Sequence, residues 1–520
     1  MNNSTAPEAT VESLQGQVVS LKCELQYANL KIQVLEERLR KQRIDKYGPS
    51  SENLSNLQLD LLEGEPGVSN QEVQAEAGRD QNVEAKPQNK RRPHPGRQQL
   101  PANLPRVERI IEVKAEECGC KACGKATTVI GYDESEQLEV KPASYYVLVT
   151  KREKRACPHC TEGGVKTAPV ETRIIDKSLV SDRIILDTVV SKYSDHLPLY
   201  RQSVILSREA GIDVSRATMD GWVMRVGELL IPVTKAMRLD LISGTYIQAD
   251  ETTVDVQVPS GNGSNHQAYL WQYGKPGGET VFEFRMGRDG DGPKTFLKDY
   301  GGILQTDGYA GYNHVGAIGM VHAACWAHSR RKFVDALKLN PLAQELKAHL
   351  DKTARQLVQR MDELFSIDAL ARERAYTHKQ RDELRQEKAA PLLVAMEKEL
   401  KAASLAALPS SALGKAANYT ISLWGKLNNF LKHPEIELSN NLAENSMRGV
   451  ALGRKNWIHI GSEKAGPKVA AIISVMESCR RLSVPVRDYL GDVLPGMADV
   501  RIKSVGELTP GKWAAKKRNG

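Results

Sequence analysis

Three sets of side chains in this 520-residue sequence have types and spacings suited to chemistry. Cys120-Lys-Ala-Cys123 is answered by Cys157-Pro-His-Cys160 after 33 intervening residues. Two such pairs can each form one knuckle of a tetrahedral zinc site, so Cys120, Cys123, Cys157 and Cys160 are the expected ligands. Cys118 and His159 are close enough in sequence to substitute. Four protein ligands leave no open position for substrate, so this zinc would be structural. The second set lies in Leu438–Trp457, LSNNLAENSMRGVALGRKNW, where a single carboxylate, Glu444, precedes Arg448, Arg454 and Lys455. A carboxylate in a first helical turn, with cations one to three turns later, could hold a metal beside a polyanion. The same residues also fit a helix-terminal arrangement. Asn440 or Asn441 would accept orphan N–H groups, Asn441 and Glu444 would form a capping box, and Glu444 and Arg448 an i,i+4 ion pair. The third set is a pair of aspartates in strand-like sequence. Asp250 shares parity with Thr252, Val254, Val256 and Val258, which points it to the buried side, where a carboxylate needs a partner. Glu251 falls on the other face. Asp307 ends a strand just before Gly308, where a turn-capping role is the alternative. His322, Cys325 and His328 stand at i, i+3 and i+6, a spacing that does not gather three ligands on one helical face.

The elements that must position these residues follow from periodicity. Val11, Val18, Leu25, Ile32 and Leu39 repeat every seven residues, with Leu14, Leu21, Ala28 and Leu35 three positions on. This a/d pattern predicts a self-associating coiled coil over residues 1–48. From Glu63 to Gln99 there is no Phe, Trp, Tyr, Leu or Ile, so residues 49–104 read as a disordered linker, acidic first and basic at its end. The cysteine pairs and the β-rich sequence between them make residues 105–175 a zinc-ribbon-like domain. In residues 176–238, RQSVILSREA and SRATMDGWVMRVGELL read as two helices joined through Gly211. That is a helix-turn-helix candidate, with an ordinary αα-hairpin as the alternative, and Arg216 and Arg225 are the expected DNA contacts. Strand signals then run through TYIQADETTVDVQV, AYLWQYG, TVFEFRMG and GILQTDGYAGY. A helix follows through Arg330 and Arg331, also placed toward DNA, and then a stretch rich in Ala, Leu, Lys, Glu and Gln. The latter predicts a helical insertion over 337–432 between core segments 239–336 and 433–482, with a C-terminal segment 483–520. Gly466–Arg481 reads as an amphipathic helix.

Composition sets outer bounds. Net charge is +8 with a pI near 8.9, which favours a polyanionic partner. No run approaches the ~18 apolar residues of a membrane span, and the N-terminal residues lack a signal-peptide pattern. A cytoplasmic protein with no membrane partner is expected, and few, clustered cysteines suit metal better than disulfides there.

Several segments together resemble the insertion-sequence-66 family of DDE transposases. They are DKYGPSSENL, GRQQLPANLPR, the cysteine pairs, SDHLPLYRQ, QADET, QTDGYAGY, CWAHSRRKF, NNLAEN, ALGRKNW, DYLGDVLP and LTPGKW, spanning about Asp45 to Trp513. The resemblance implies a multidomain α/β protein with a ribonuclease-H-like catalytic core, a helical insertion, a coiled coil, a zinc ribbon and a helix-turn-helix. It implies a catalytic, metal-binding triad of Asp250, Asp307 and Glu444 holding two Mg²⁺ or Mn²⁺ ions. The implied activity is binding of terminal inverted repeats, metal-dependent 3′-end cleavage and strand transfer. The partners would be transposon-end and target DNA, a second copy through the coiled coil, and accessory transposition proteins, at a bacterial nucleoid. The family usually has Asp-Asn-Asn and Glu-Arg where this chain has Ser439-Asn-Asn and Glu444-Asn445. Two rival readings are a DNA-binding regulator or assembly protein with an inert core, and a nuclease that cuts without joining.

Overall fold

The computed structural model describes residues 144–156, 165–258, 265–338 and 345–519, with scattered helical positions between 16 and 35. The linker at 49–104 and the four cysteines of the expected zinc site lie outside the described residues. Two compact units are present, Pro87–Lys151 and the remainder, Met1–Lys86 with Arg152–Gly520. In the smaller unit, residues 144–151 are described and have no regular structure. In the larger, strands β1 (Lys154–Ala156) and β2 (Val165–Thr167) pair antiparallel on either side of residues 157–164.

Three helices precede the main sheet: α1 (Asp182–Tyr193), α2 (Leu199–Ala210) and α3 (Arg216–Ile242). The punctuation between α2 and α3 follows the sequence. Gly211 closes α2 in the left-handed conformation at φ +66°, which glycine adopts without a Cβ penalty. Ser215 caps α3 by accepting the N–H of Thr218. From its first turn onward α3 packs into the core, burying Met219, Trp222, Val226, Leu230 and Val233.

The sheet is built from β3 (Tyr246–Val256), β4 (His266–Gly274) and β5 (Thr280–Arg285), all antiparallel neighbours. After the short helix α4 (Asp291–Leu297) come β6 (Ile303–Thr306) and β7 (Val321–Ala324), parallel to β3. The order is β5-β4-β3-β6-β7. Tyr246–Ala249 of β3 are buried on both faces, because packed layers cover the middle of the sheet. Farther along, Val254 and Val256 are buried while Asp255 is exposed, the alternation of a strand with one wet face.

A helical unit is inserted after β7: α5 (Trp326–Lys338), α6 (Glu345–Glu373), α7 (His378–Leu384), a π turn at Arg385–Ala389 leading into α8 (Ala390–Ala406), α9 (Ala412–Ser422) and α10 (Trp424–Leu427). Its apolar core includes Phe333, Leu357, Met361, Phe365, Met396 and Phe430 and is continuous with Tyr246 and Ile303 of the sheet. At its heart is a buried ion network. Asp368 pairs with Arg381 at 2.7 Å and Arg385 at 2.8 Å, and Arg381 reaches Glu437 at 2.8 Å.

Glu437 begins the return to the sheet. Its carbonyl accepts from Gln305 of β6 at 2.7 Å, Leu438 O accepts from Trp326 N at 2.8 Å, and Ser439 O accepts from Gln248 of β3 at 3.1 Å. These bonds pin the start of α11 (Asn441–Trp457) beside the middle of β3 and the end of β6. The chain continues through β8 (His459–Ile460), parallel to the far end of β3, to α12 (Gly466–Arg481), α13 (Val486–Val493) and α14 (Pro510–Asn519). The structure corrects the amphipathic reading of α12. Burial extends from Val469 through Cys479 without a polar face, because α12 is enclosed by α3 and the sheet. At the crossing with α3, a Cβ on Gly227 would meet Lys468 O at 2.7 Å, so the helices approach through glycine.

Candidate active site

Asp250 and Asp307 are placed by strand register. Gln248 of β3 pairs with Gln305 of β6 in parallel, and each aspartate stands two residues farther along the chain, Asp250 within β3 and Asp307 just past the end of β6. Neighbouring parallel strands lie about 4.8 Å apart, so the two carboxyl groups emerge side by side. Asp250 Oδ1 accepts the N–H of Glu251 at 2.9 Å. Asp307 Oδ1 accepts the N–H of Tyr309 at 2.8 Å, so the turn-capping role is filled by one oxygen while the carboxylate still faces Asp250. Gly308, between them in the turn, has φ +94°, and a Cβ there would meet Leu423 Cδ1 at 2.5 Å. The positive φ favours glycine at this position, and any side chain there would also push the Leu423 methyl aside.

Glu444 arrives from the first turn of α11, and its carboxylate turns toward α5. Asn440 precedes the helix but makes no side-chain cap. Its amide instead donates to Ala249 O of β3, and its backbone N–H donates to Cys325 Sγ at 3.4 Å. Burial beneath the sheet end turns Asn440 from a cap into a cross-link. Glu444 pairs with Arg331 of α5 at 3.3 Å and faces His328 at 3.4 Å, in place of the expected Arg448.

The electrostatics of Asp250 bring the three acids together. Burial first, then the charges of Glu444, Glu251 and Asp307, hold its carboxyl well above the usual carboxylate range. The donors are all hard oxygens and their charges repel, conditions that a divalent cation such as Mg²⁺ or Mn²⁺ relieves, so the residues fit such a group. Glu444 itself leans toward α5: Cys325, His328 and Glu444 each bring a donor atom to within 4.8 Å of the others, a tighter grouping than the three acids form among the described residues.

Glu251 is not the idle outward carboxylate its parity suggested. Its side chain is only 4% exposed. It accepts from Arg288 Nε at 3.0 Å and from Tyr312 Oη at 3.1 Å, because the Tyr309–Tyr312 turn and Arg288 fold over that face. Burial raises its pKa, opposed by the Arg288 bond. The Arg288 guanidinium in turn lies 4.1 Å from the Tyr309 ring centroid and its carbonyl accepts from Tyr309 Oη.

The seven cations expected at DNA divide into two groups. Arg330 is bound to Asp362 of α6 at 2.6 Å, Arg331 to Glu444, and Arg454 to Thr252 and Thr253 of β3. Arg225 lies 3.5 Å from Glu228. Arg216, Arg448 and Lys455 are exposed. Sequence reasoning missed Arg288, Tyr309, Cys325 and His328 as neighbours of the acids. The only local trace was that Tyr309 follows Asp307 by two residues and that Cys325 and His328 share a helical start. Their partner Glu444 is more than a hundred residues away.

Comparison with known proteins agrees along most of the chain. Residues 177–468 match the family model described as transposase IS66 family. Residues 117–161 match the zinc-finger binding domain of transposase IS66, and residues 34–109 match a model described as transposase C of IS166 homeodomain. The chain is 31% identical over 519 residues to the uncharacterized protein y4qI of Sinorhizobium fredii, covering 95% of this chain and 91% of that one. It is 29% identical over 501 residues to the uncharacterized protein y4hP of the same organism, covering 93% and 88%.

Proposed function

This chain belongs to the IS66 transposase family, and from that membership we propose that it binds the ends of an insertion sequence, cuts them and joins them to target DNA. The observation that supports the proposal is the placing of Asp250 within β3, Asp307 just past the end of the parallel neighbour β6 and Glu444 in the first turn of α11, near enough that the charges of Glu444 and Asp307 act on Asp250. Three antiparallel strands followed by two parallel ones, with an acid on the first and fourth strands, support reading the sheet as a ribonuclease-H-like core. The reaction is two in-line displacements. Water attacks the phosphodiester at the element's end and leaves a 3′-OH, which then attacks a phosphodiester of the target.

In this reading Asp250, Asp307 and Glu444 hold Mg²⁺ or Mn²⁺, which when bound supplies activation of the attacking oxygen and charge stabilisation of the leaving one. Asp307 keeps one oxygen in its own turn, which fixes the carboxylate's direction. Asp250 keeps its carboxylate against the strand through Glu251 N. Glu444 must turn from Arg331 toward the aspartates. Arg331 lies beside the acids at the start of α5, while exposed Arg448 and Lys455 on α11 and Arg216 at the start of α3 track the DNA backbone. Arg330, Arg454 and Arg225 set the position of these elements, and of the seven they contribute to DNA least directly. Cys120, Cys123, Cys157 and Cys160 hold the structural zinc of the matched zinc-finger segment. Self-association brings two ends together, accessory proteins join at the nucleoid, and no helix among the described residues is long and apolar enough to cross a membrane.

The test is a strand-transfer assay with terminal-repeat DNA and Mg²⁺. Metal-dependent joined product is expected. Binding of the repeats without nicking would replace this reading with a regulator carrying an inert core, and nicking without joining would leave a nuclease.

A further inference from the structure

Glu444 stands between two sets of partners. On one side are the aspartates; on the other is the start of α5, where Cys325 precedes the helix and His328 and Arg331 follow on the same face. His328 Nδ1 and Glu444 Oε1 face each other at 3.4 Å, and both atoms are buried with no hydrogen bond. Two bonds of ~2.0–2.1 Å meeting at a tetrahedral angle span roughly 3.3 Å, so a zinc-sized ion fits between these atoms as they stand. Cys325 Sγ lies within 4.8 Å of both, and an approach of about 1 Å brings it to a zinc–sulfur distance.

We propose that Cys325, His328 and Glu444 form a site for a thiophilic divalent cation of the zinc class, and that its occupation withdraws Glu444 from the catalytic acids and inhibits cleavage. The inhibition rests on the reading of Glu444 as a catalytic carboxylate; the metal site does not. One sulfur, one imidazole nitrogen and one carboxylate oxygen select zinc, cobalt or cadmium over Mg²⁺, which takes oxygen ligands. The site is therefore distinct from a centre of three carboxylates although it shares one ligand with it. Binding replaces the thiol proton by the metal, and that proton leaves to solvent. The sulfur already accepts N–H groups from Asn440 and His328, bonds that stabilise a thiolate as well as a thiol. Arg331 holds the other oxygen, Oε2, leaving Oε1 for the ion. The fourth position is left to water.

The full-length protein, purified with its zinc-finger segment filled by zinc, is titrated with Co²⁺. One further equivalent is expected, with a thiolate-to-cobalt charge-transfer band. Cys325→Ser should lose the band and His328→Gln should bind cobalt at least tenfold more weakly, each keeping the first zinc. Serine preserves an acceptor at the helix start, and circular dichroism melting reports whether either variant is folded. No band in the wild-type protein, or an equal band in folded Cys325→Ser, overturns the site. In Mg²⁺-driven nicking of terminal-repeat DNA, micromolar zinc should inhibit the wild type at least tenfold more strongly than Cys325→Ser. Cysteine-dependent binding with equal inhibition of both overturns the competition for Glu444. A protein that never nicks DNA overturns the transposase reading, and the cobalt band still decides the metal site.

Discussion

A buried carboxylate among like charges destabilises the fold that holds it, and Asp250 is in that position. Its raised pKa means that the folded protein retains a proton the unfolded chain loses above its ordinary value of 3.8. Stability of the metal-free protein therefore falls as pH rises from that value through the raised one. Asp250→Asn removes the charge. We predict that it stabilises the metal-free protein at neutral pH by on the order of 1 kcal/mol, a gain that fades toward about pH 4, where wild-type Asp250 is protonated. Urea unfolding at both pH values checks the sign; a variant less stable than wild type at neutral pH would contradict it. Asp250→Asn, Asp307→Asn and Glu444→Gln should each abolish cleavage and joining while sparing end binding, and near-normal joining by any one removes that residue from the triad. Glu251→Gln is a different case. Because Glu251 anchors Arg288 and Tyr312, its loss should slow cleavage several-fold without abolishing it, read as initial rates of nicking.

At the scale of elements, the helical unit and the loop that returns to the sheet at Glu437 share a polar joint. Arg381 binds Asp368 inside the unit and Glu437 at the start of the return loop, all at 3% exposure or less. Arg381, Arg385 and Arg372 overcome burial and hold the Asp368 carboxyl far below its usual range. The stability this contributes is present above the ordinary carboxylate pKa and is lost only in strong acid. Arg381→Met removes the closest of the cations these two buried carboxylates share, leaving Arg372 at 3.3 Å and 3.8 Å, and a loss of about 3 kcal/mol is expected by denaturant unfolding. A loss below about 1 kcal/mol would show the network to be incidental. The zinc-finger segment makes a parallel case for metal. Zinc removal, or Cys120→Ser with Cys123→Ser, should unfold residues around 105–175 and weaken DNA binding, since such ligand sets do not preassemble. Elemental analysis finding no zinc would count heavily against it.

For the whole molecule, the proposed reaction requires two transposon ends to meet before joining, with one active site for each end. Val18, Leu21, Leu25, Ile32 and Leu35 are 48–61% exposed in the single chain, apolar positions at heptad spacing that a self-associating coiled coil would cover. Leu21→Lys with Ile32→Lys would place charges in that seam, at a cost of several kcal/mol. The double variant should sediment as a smaller species and lose paired-end joining while keeping single-end nicking. An unchanged sedimentation coefficient would move the interface elsewhere in the chain.

The local parts of this protein were legible in its sequence because they depend on neighbours a few residues apart. Gly211 and Ser215 punctuate α2 and α3, the alternation around Val254 and Val256 marks a strand with one wet face, and the order of the acidic motifs names the family. The environment of each acid was a matter for tertiary structure. Asn440 and Glu444 satisfy every local rule for a capped helix start, yet β3 and α5 take their side chains, because burial makes the strongest available partner decisive over the nearest one. Glu251 has outward parity in β3, and folding covers it with Arg288 and Tyr312. Cys325 and His328 gather no ligand set on their own helix. They acquire one when residues more than a hundred positions later return beneath the sheet, a contact that no periodicity encodes.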